Sequence, residues 1–266
     1  MGSLAHAVRR LLDGTYAVRD QLSNDTWLVV GALDHEIQAL RGPLADPQAA
    51  VQGALQRVMQ SLLALAGLGA ESMVRDLGWR FLDTGRRIER SIQIVSLLQA
   101  TVTQARGTAT DSLLWESVLT AAESIITYRR RYRSHAQLET LLDLVLLDEG
   151  NPRSLVFQLD QAIEDLNAVP PSTDRRLRHE QKVLLDAATT LRLADTAELV
   201  RMDSDGWRPG LSAFLAHLLD LLLGAAEEVD RLHFVHLAPQ WSLAGAADGP
   251  ADPRSARRQG EQGDQR

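Results

Sequence analysis

The sequence predicts an all-α protein, an antiparallel multi-helix bundle of about eight helices. Three observations predict it. Apolar residues recur at helical spacing almost throughout. Alternating β-branched runs bounded by turn pairs do not occur. The periodic stretches are separated by short connections carrying N-cap residues, glycine and proline, which favour antiparallel neighbours.

The first predicted helix covers 4–22. Ser23-Asn24-Asp25 supplies N-cap chemistry for a second, which carries Trp27, Val30, Leu33, Ile37 and Leu40 inward and stops at Gly42-Pro43. Asp46-Pro47 opens a third, running to about 67 through Val51, Leu55, Val58, Leu62 and Leu65; proline suits the first turn because its missing N–H has no intrahelical partner there. A long fourth helix spans 71–104, with a break point at Asp76-Leu77-Gly78. Further helices cover 112–133 and 138–148. Asn151 reads as the N-cap and Pro152 as the first residue of the next, which ends before Pro170-Pro171. Segments 174–200 and 211–237 complete the set, joined by Trp207-Arg208-Pro209-Gly210. Residues 1–238 therefore read as one helical bundle. Residues 239–266, rich in Gly, Ala, Asp, Arg and Gln, read as a disordered tail that cannot bury enough apolar surface to offset its ordering entropy.

Composition narrows the function classes. A net charge of −7 argues against a general nucleic-acid binder. The absence of cysteine removes disulfides, thiolate metal sites and a thiol nucleophile. The first ten residues have no apolar core of a signal peptide, and the apolar stretches 138–147 and 218–226 are too short to span a bilayer. A cytoplasmic protein without membrane attachment is expected. No Walker loop, dinucleotide fingerprint, nucleophile elbow or HExxH motif occurs, so no cofactor is expected. His233 and His236 share a helix face but lack the further ligands a metal needs.

Three charged segments could carry chemistry. In 75–90, Phe81, Gly85, Ile88, Ile92 and Val95 form one stripe, with Glu89 on its edge, Arg86 on its flank, and Arg87 and Arg90 pointing away. A carboxylate beside a core stripe needs a cation, and Arg19 and Arg153 are both candidates. The segment, with Arg75 and Trp79 at its start, reads either as a packed ion pair that fixes helix register or as an anion or peptide site framed by Arg86, Glu89 and Arg90. Gly85 marks a place where another helix or a ligand could approach. Tyr128-Arg129-Arg130-Arg131-Tyr132-Arg133 concentrates four cations in six residues, with the tyrosines one turn apart. It reads as a solvated, dipole-offsetting helix end or as an anionic contact. Asn151, Arg153 and Ser154 read as helix capping, or as exposed N–H groups and a cation that hold an anion.

Taken together these segments resemble the bacterial alpha-E domain, an all-helical family named for a Glu-Arg motif. The matching pieces are Ala17-Val18-Arg19-Asp20-Gln21-Leu22-Ser23-Asn24-Asp25-Thr26-Trp27, then Gly78-Trp79-Arg80-Phe81-Leu82 leading into Gly85-Arg86-Arg87-Ile88-Glu89-Arg90, then Asn151-Pro152-Arg153-Ser154. The resemblance covers roughly 4–237. Family members usually carry an earlier helix with its own Glu-Arg motif, which this sequence lacks. It is most similar to the C-terminal portion of the form fused to a circularly permuted ATP-grasp module. The resemblance implies a peptide synthesis or modification system, with a circularly permuted ATP-grasp protein as partner and this domain as a non-catalytic accessory. Of functional residues it implies only the pair Glu89 and Arg90, as a motif without an assigned role. Two other readings stand beside it. One is an enzyme using Glu89 as acid/base, with arginines holding a carboxylate or phosphate. The other is a binding module for an anionic partner or nucleic acid through 128–133.

Overall fold

The computed structural model describes residues 3–40, 46–133, 135–170 and 176–234. Among them lie eleven α-helices and no strand: α1 Leu4–Ala17, α2 Asn24–Ala39, α3 Pro47–Glu71, α4 Leu77–Thr101, α5 Thr108–Ala121, α6 Ile125–Tyr132, α7 Leu138–Leu142, α8 Leu155–Ala168, α9 His179–Arg192, α10 Thr196–Leu199 and α11 Pro209–His233. A 3₁₀ turn, Arg19–Gln21, joins α1 to α2, and a π-helical turn, Asp143–Leu147, extends α7. The tail read at 239–266 lies outside the described residues.

Local chemistry sets the boundaries. Ser3, Ser23, Asp46 and Asp76 each accept a hydrogen bond from the N–H three residues on, capping α1 to α4. Asp76 thus starts a new helix rather than interrupting a long one. The stretch 112–133 is split because Glu123 adopts φ +51, a left-handed conformation that ends α5 while the Ser124 N–H bonds back to the Leu119 carbonyl. Glycine is the usual residue there, so no punctuation announced the break. Asp195 caps a separate α10 by accepting from the N–H groups of Ala197 and Glu198, which divides the expected 174–200 helix. Asn151 is not an N-cap: Ser154 caps α8, its Oγ accepting from Phe157 N at 3.2 Å, and Pro152 and Arg153 lie in the preceding loop.

The main core is built by α4, α8, α9 and α11, with α5 to α7 closing one side. Ile88, Val95 and Leu98 of α4 are buried with Leu155, Leu159 and Leu166 of α8, Leu184 and Leu191 of α9, and Leu211, Leu215, Leu218 and Leu222 of α11. Fully burying each such side chain contributes about 1.5–3 kcal/mol. By length and apolar content α11 could cross a membrane, with a mean hydropathy of 1.5 over its most apolar window. Its apolar stripe is instead the seam against α4 and α9. A second, smaller core joins α1 to α3 through Val8, Leu12, Val30, Leu33, Ile37 and Val58. Trp79 Nε1 and Arg75 tie α4 to this unit by donating to the Gly69 and Ala70 carbonyls that end α3.

Candidate functional site

Helix α4 buries polar residues along its inner face: Asp83 is 3 % exposed, and Thr84 and Ser91 are fully buried. The buried stripe runs through Thr84, Ile88, Ser91, Val95 and Leu98. It is rotated roughly 60° from the stripe that apolar residues alone suggest, at 3.6 residues per turn. Glu89 therefore faces solvent, and among the described residues it accepts only from Gln93 Nε2 at 3.2 Å. Arg87 and Arg90 turn toward the protein, with Arg87 mostly buried and Arg90 half-buried. This reverses the expected orientation of all three. Gly85 faces open space, so it marks no close helix approach.

The carboxylate inside is Asp83. It accepts from Arg86 NH2 at 2.9 Å and from Arg87 Nε at 3.0 Å. Arg87 NH1 also donates to Gln158 Oε1 at 3.2 Å, and Gln158 Nε2 donates to the Pro152 carbonyl at 2.7 Å. One turn before Asp83, Arg80 donates to Asp165 of α8 at 2.7 Å. Burial, opposed by the Arg80 bond and reinforced by the neighbouring Asp83 charge, holds Asp165 above the usual carboxylate range. Its Oδ2 is buried without a hydrogen-bond partner among the described residues. The pairing thus clamps α4 to α8 and to the loop before α8.

Beyond this clamp cations outnumber acids. Arg153 pairs with Glu123, the left-handed residue of the α5–α6 turn, rather than with Glu89. Among the described residues Arg90 has no hydrogen bond and no ion pair. Burial, then repulsion from Arg153, Arg86 and Arg87, lowers its pKa, and Glu123 works in the opposite direction. Five guanidinium groups, from Arg80, Arg86, Arg87, Arg90 and Arg153, thus meet three acids, Asp83, Asp165 and Glu123.

The remaining sequence candidates lie apart from this cluster or hold local structure. Arg19 is exposed and lies near Asp20, far from any role beside Glu89. Arg75 stacks over Trp79 at 4.0 Å while capping α3. Tyr128 is buried, its OH bonded to Thr140 Oγ1 at 2.6 Å and accepting from Gln137 N at 3.0 Å. Tyr132 packs against its ring at 4.7 Å, and burial raises its phenol pKa. Arg131 pairs with Asp148, Arg129 lies 3.7 Å from Glu116, and Arg130 is exposed. Asn151 is buried and staples its loop: Nδ2 donates to Ser124 Oγ and to the Leu144 carbonyl, and Oδ1 accepts from Arg153 N. Ser154 Oγ also donates to the Asp148 carbonyl at 2.7 Å. Two shallow clefts, of about 260 Å³ beside Tyr128 and Arg133 and about 180 Å³ beside Ser23 and Asp76, are smaller than ordinary small-molecule sites. His233 bonds the fully buried Glu180 at 3.2 Å. Among the described residues no group of three or more possible metal ligands occurs.

The fold and this arginine-rich face define an all-helical domain organised around a charged layer. The chain belongs to the Alpha-E family, described as a predicted alpha-helical domain with a conserved ER motif, whose model matches residues 1–234. The Glu-Arg dipeptide of this sequence is Glu89-Arg90. An uncharacterized protein of Mycobacterium tuberculosis strain H37Rv and one of Mycobacterium bovis are each 37% identical over 218 residues, covering 81% of this chain. The chain spans 24% of the length of these relatives. No solved structure matches.

Proposed function

We propose that this domain is a non-catalytic accessory of an ATP-grasp peptide ligase in a peptide synthesis or modification system. The observation that favours an accessory over an enzyme is the direction of Glu89. An acid/base there would need to sit beside the arginines that hold substrate. Instead Glu89 is on the solvent side of α4, while Asp83 and Asp165 are committed to arginines that hold helices together. The relatives' greater length is compatible with further modules on one chain. The family association supplies the partner class, a circularly permuted ATP-grasp protein. Nucleic-acid binding through 128–133 finds little support, since Tyr128 is buried and bonded rather than free to stack on bases.

The test is co-purification with the circularly permuted ATP-grasp proteins of the same organism. A stable complex with one of them, or a change in its ligation rate, is expected. If none of them binds the domain or responds to it, the proposal fails.

A further inference from the structure

We propose that Arg90 and Arg153 form a binding site for the carboxylate of an acidic peptide, and that Glu123 occupies it as a displaceable internal stand-in. This assignment is independent of the ligase partnership and can hold without it.

Arg90 is the anomaly that motivates it. A half-buried guanidinium ordinarily has an acid or carbonyl partner, because removing a charge from water without one is costly. Arg90 has none among the described residues, although Arg86 and Arg87, three and four residues earlier, both reach Asp83. The nearby charges make its position worse: Arg153, Arg86 and Arg87 all repel it. Such a cluster is stabilised by an anion from outside.

Glu123 indicates which anion. Its carboxylate already pairs with one nitrogen of the Arg153 guanidinium, so a carboxylate is the anion this cation takes within the fold. Three features make Glu123 displaceable. It lies in a turn rather than within a helix, its side chain is 62% exposed, and the ion pair with Arg153 is its one side-chain bond among the described residues. Exposed pairs of this kind are held weakly. The backbone that carries Arg153 is fixed from behind, because the Arg153 N–H donates to buried Asn151 and the adjoining Pro152 carbonyl is bonded to Gln158. A cation on an anchored backbone, an unpaired cation and a loosely held acid are the components of a competitive site. An incoming carboxylate bonds Arg90, takes Arg153 from Glu123, and releases Glu123 to solvent.

The experiment uses the full chain and the peptide acetyl-Ala-Ala-Glu with a free C-terminus, titrated by calorimetry. Controls are the same peptide with Gln and a C-terminal amide, and inorganic phosphate. Glu123→Gln should bind the acidic peptide about tenfold more tightly than the parent, since the internal competitor loses its charge. Arg90→Gln should weaken binding by about 10–100-fold, the loss of a charge-assisted hydrogen bond. Circular dichroism confirms that each variant is folded. If Arg90→Gln fails to fold, the tightening by Glu123→Gln still decides the matter, because a purely structural Glu123 predicts none. Equal binding of the uncharged peptide, tighter binding of phosphate than of the peptide, or no binding by either the parent or Glu123→Gln overturns the assignment.

Discussion

Replacing Asp83 by alanine removes the acid that holds two cations at once. Asp83 is 3 % exposed, and it accepts from Arg86 at 2.9 Å and Arg87 at 3.0 Å. Arg87 is only 14% exposed and keeps a single further bond, to Gln158 at 3.2 Å. Breaking a buried pair from one side typically costs about 3–5 kcal/mol, because the remaining charge stays buried without compensation. Part of the Arg86 contribution is screened, since its side chain is 39% exposed, so the lower half of that range, about 3–4 kcal/mol, is expected. At about 2–4 °C per kcal/mol for a chain of this size, the melting temperature should fall by roughly 10 °C. Urea denaturation followed by far-ultraviolet circular dichroism measures the same loss as a shift in midpoint. Glu89→Ala is the internal control: an exposed residue whose sole side-chain partner is Gln93 should change stability by less than about 0.5 kcal/mol. A loss below about 1 kcal/mol for Asp83→Ala, or a larger loss for Glu89→Ala, would refute the assignment of Asp83 to the interior.

Asp165 should make stability rise on acidification. Its folded pKa is held above the unfolded value, so its favourable contribution is complete below the unfolded value and is lost as pH rises through the folded one. Asp165→Asn keeps an acceptor for Arg80 and should flatten that part of the stability–pH profile; an unchanged profile would count against a raised Asp165 pKa. Asn151→Ala should cost about 2–3 kcal/mol in chemical denaturation, because it leaves the Leu144 carbonyl and Ser124 hydroxyl without their buried donor. Ser154→Ala should cost about 1–2 kcal/mol through loss of the α8 cap and the bond to Asp148. Tyr128→Phe should cost about 1–2 kcal/mol, with no change in any salt-dependent nucleic-acid retention, if the OH serves Thr140, Gln137 and the His135 carbonyl within the fold.

The helical class was legible because α4, α8 and α11 bury apolar residues at regular spacing. So were the starts at which Ser23 and Asp46 cap by ordinary chemistry, whereas Asp76 was read as a break within a longer helix. Two breaks were not legible. Glu123 takes a left-handed conformation without being glycine, and Asp195 restarts a helix inside a stretch that keeps its period. The phase of α4 was misread for a specific reason. Apolar residues alone define a stripe through Phe81, Ile88, Ile92 and Val95, but the interior also takes Asp83, Thr84 and Ser91. Once those are included the helix turns, and the two residues of the Glu-Arg pair part company. Asp83 and Asp165 lie 82 positions apart and meet only in the fold, so spacing along the chain carried no signal for that pairing.

The central claim is that Arg90, and not Glu89, is the member of the Glu-Arg pair that faces a ligand. Its most direct test is a titration of the chain with the acidic peptide, read from the Arg90 Nε–H resonance in the parent and in Glu89→Gln. A saturable shift of that resonance, with the same affinity in both proteins, is the predicted result. An Arg90 signal that stays fixed while the peptide binds, or binding abolished by Glu89→Gln, contradicts it.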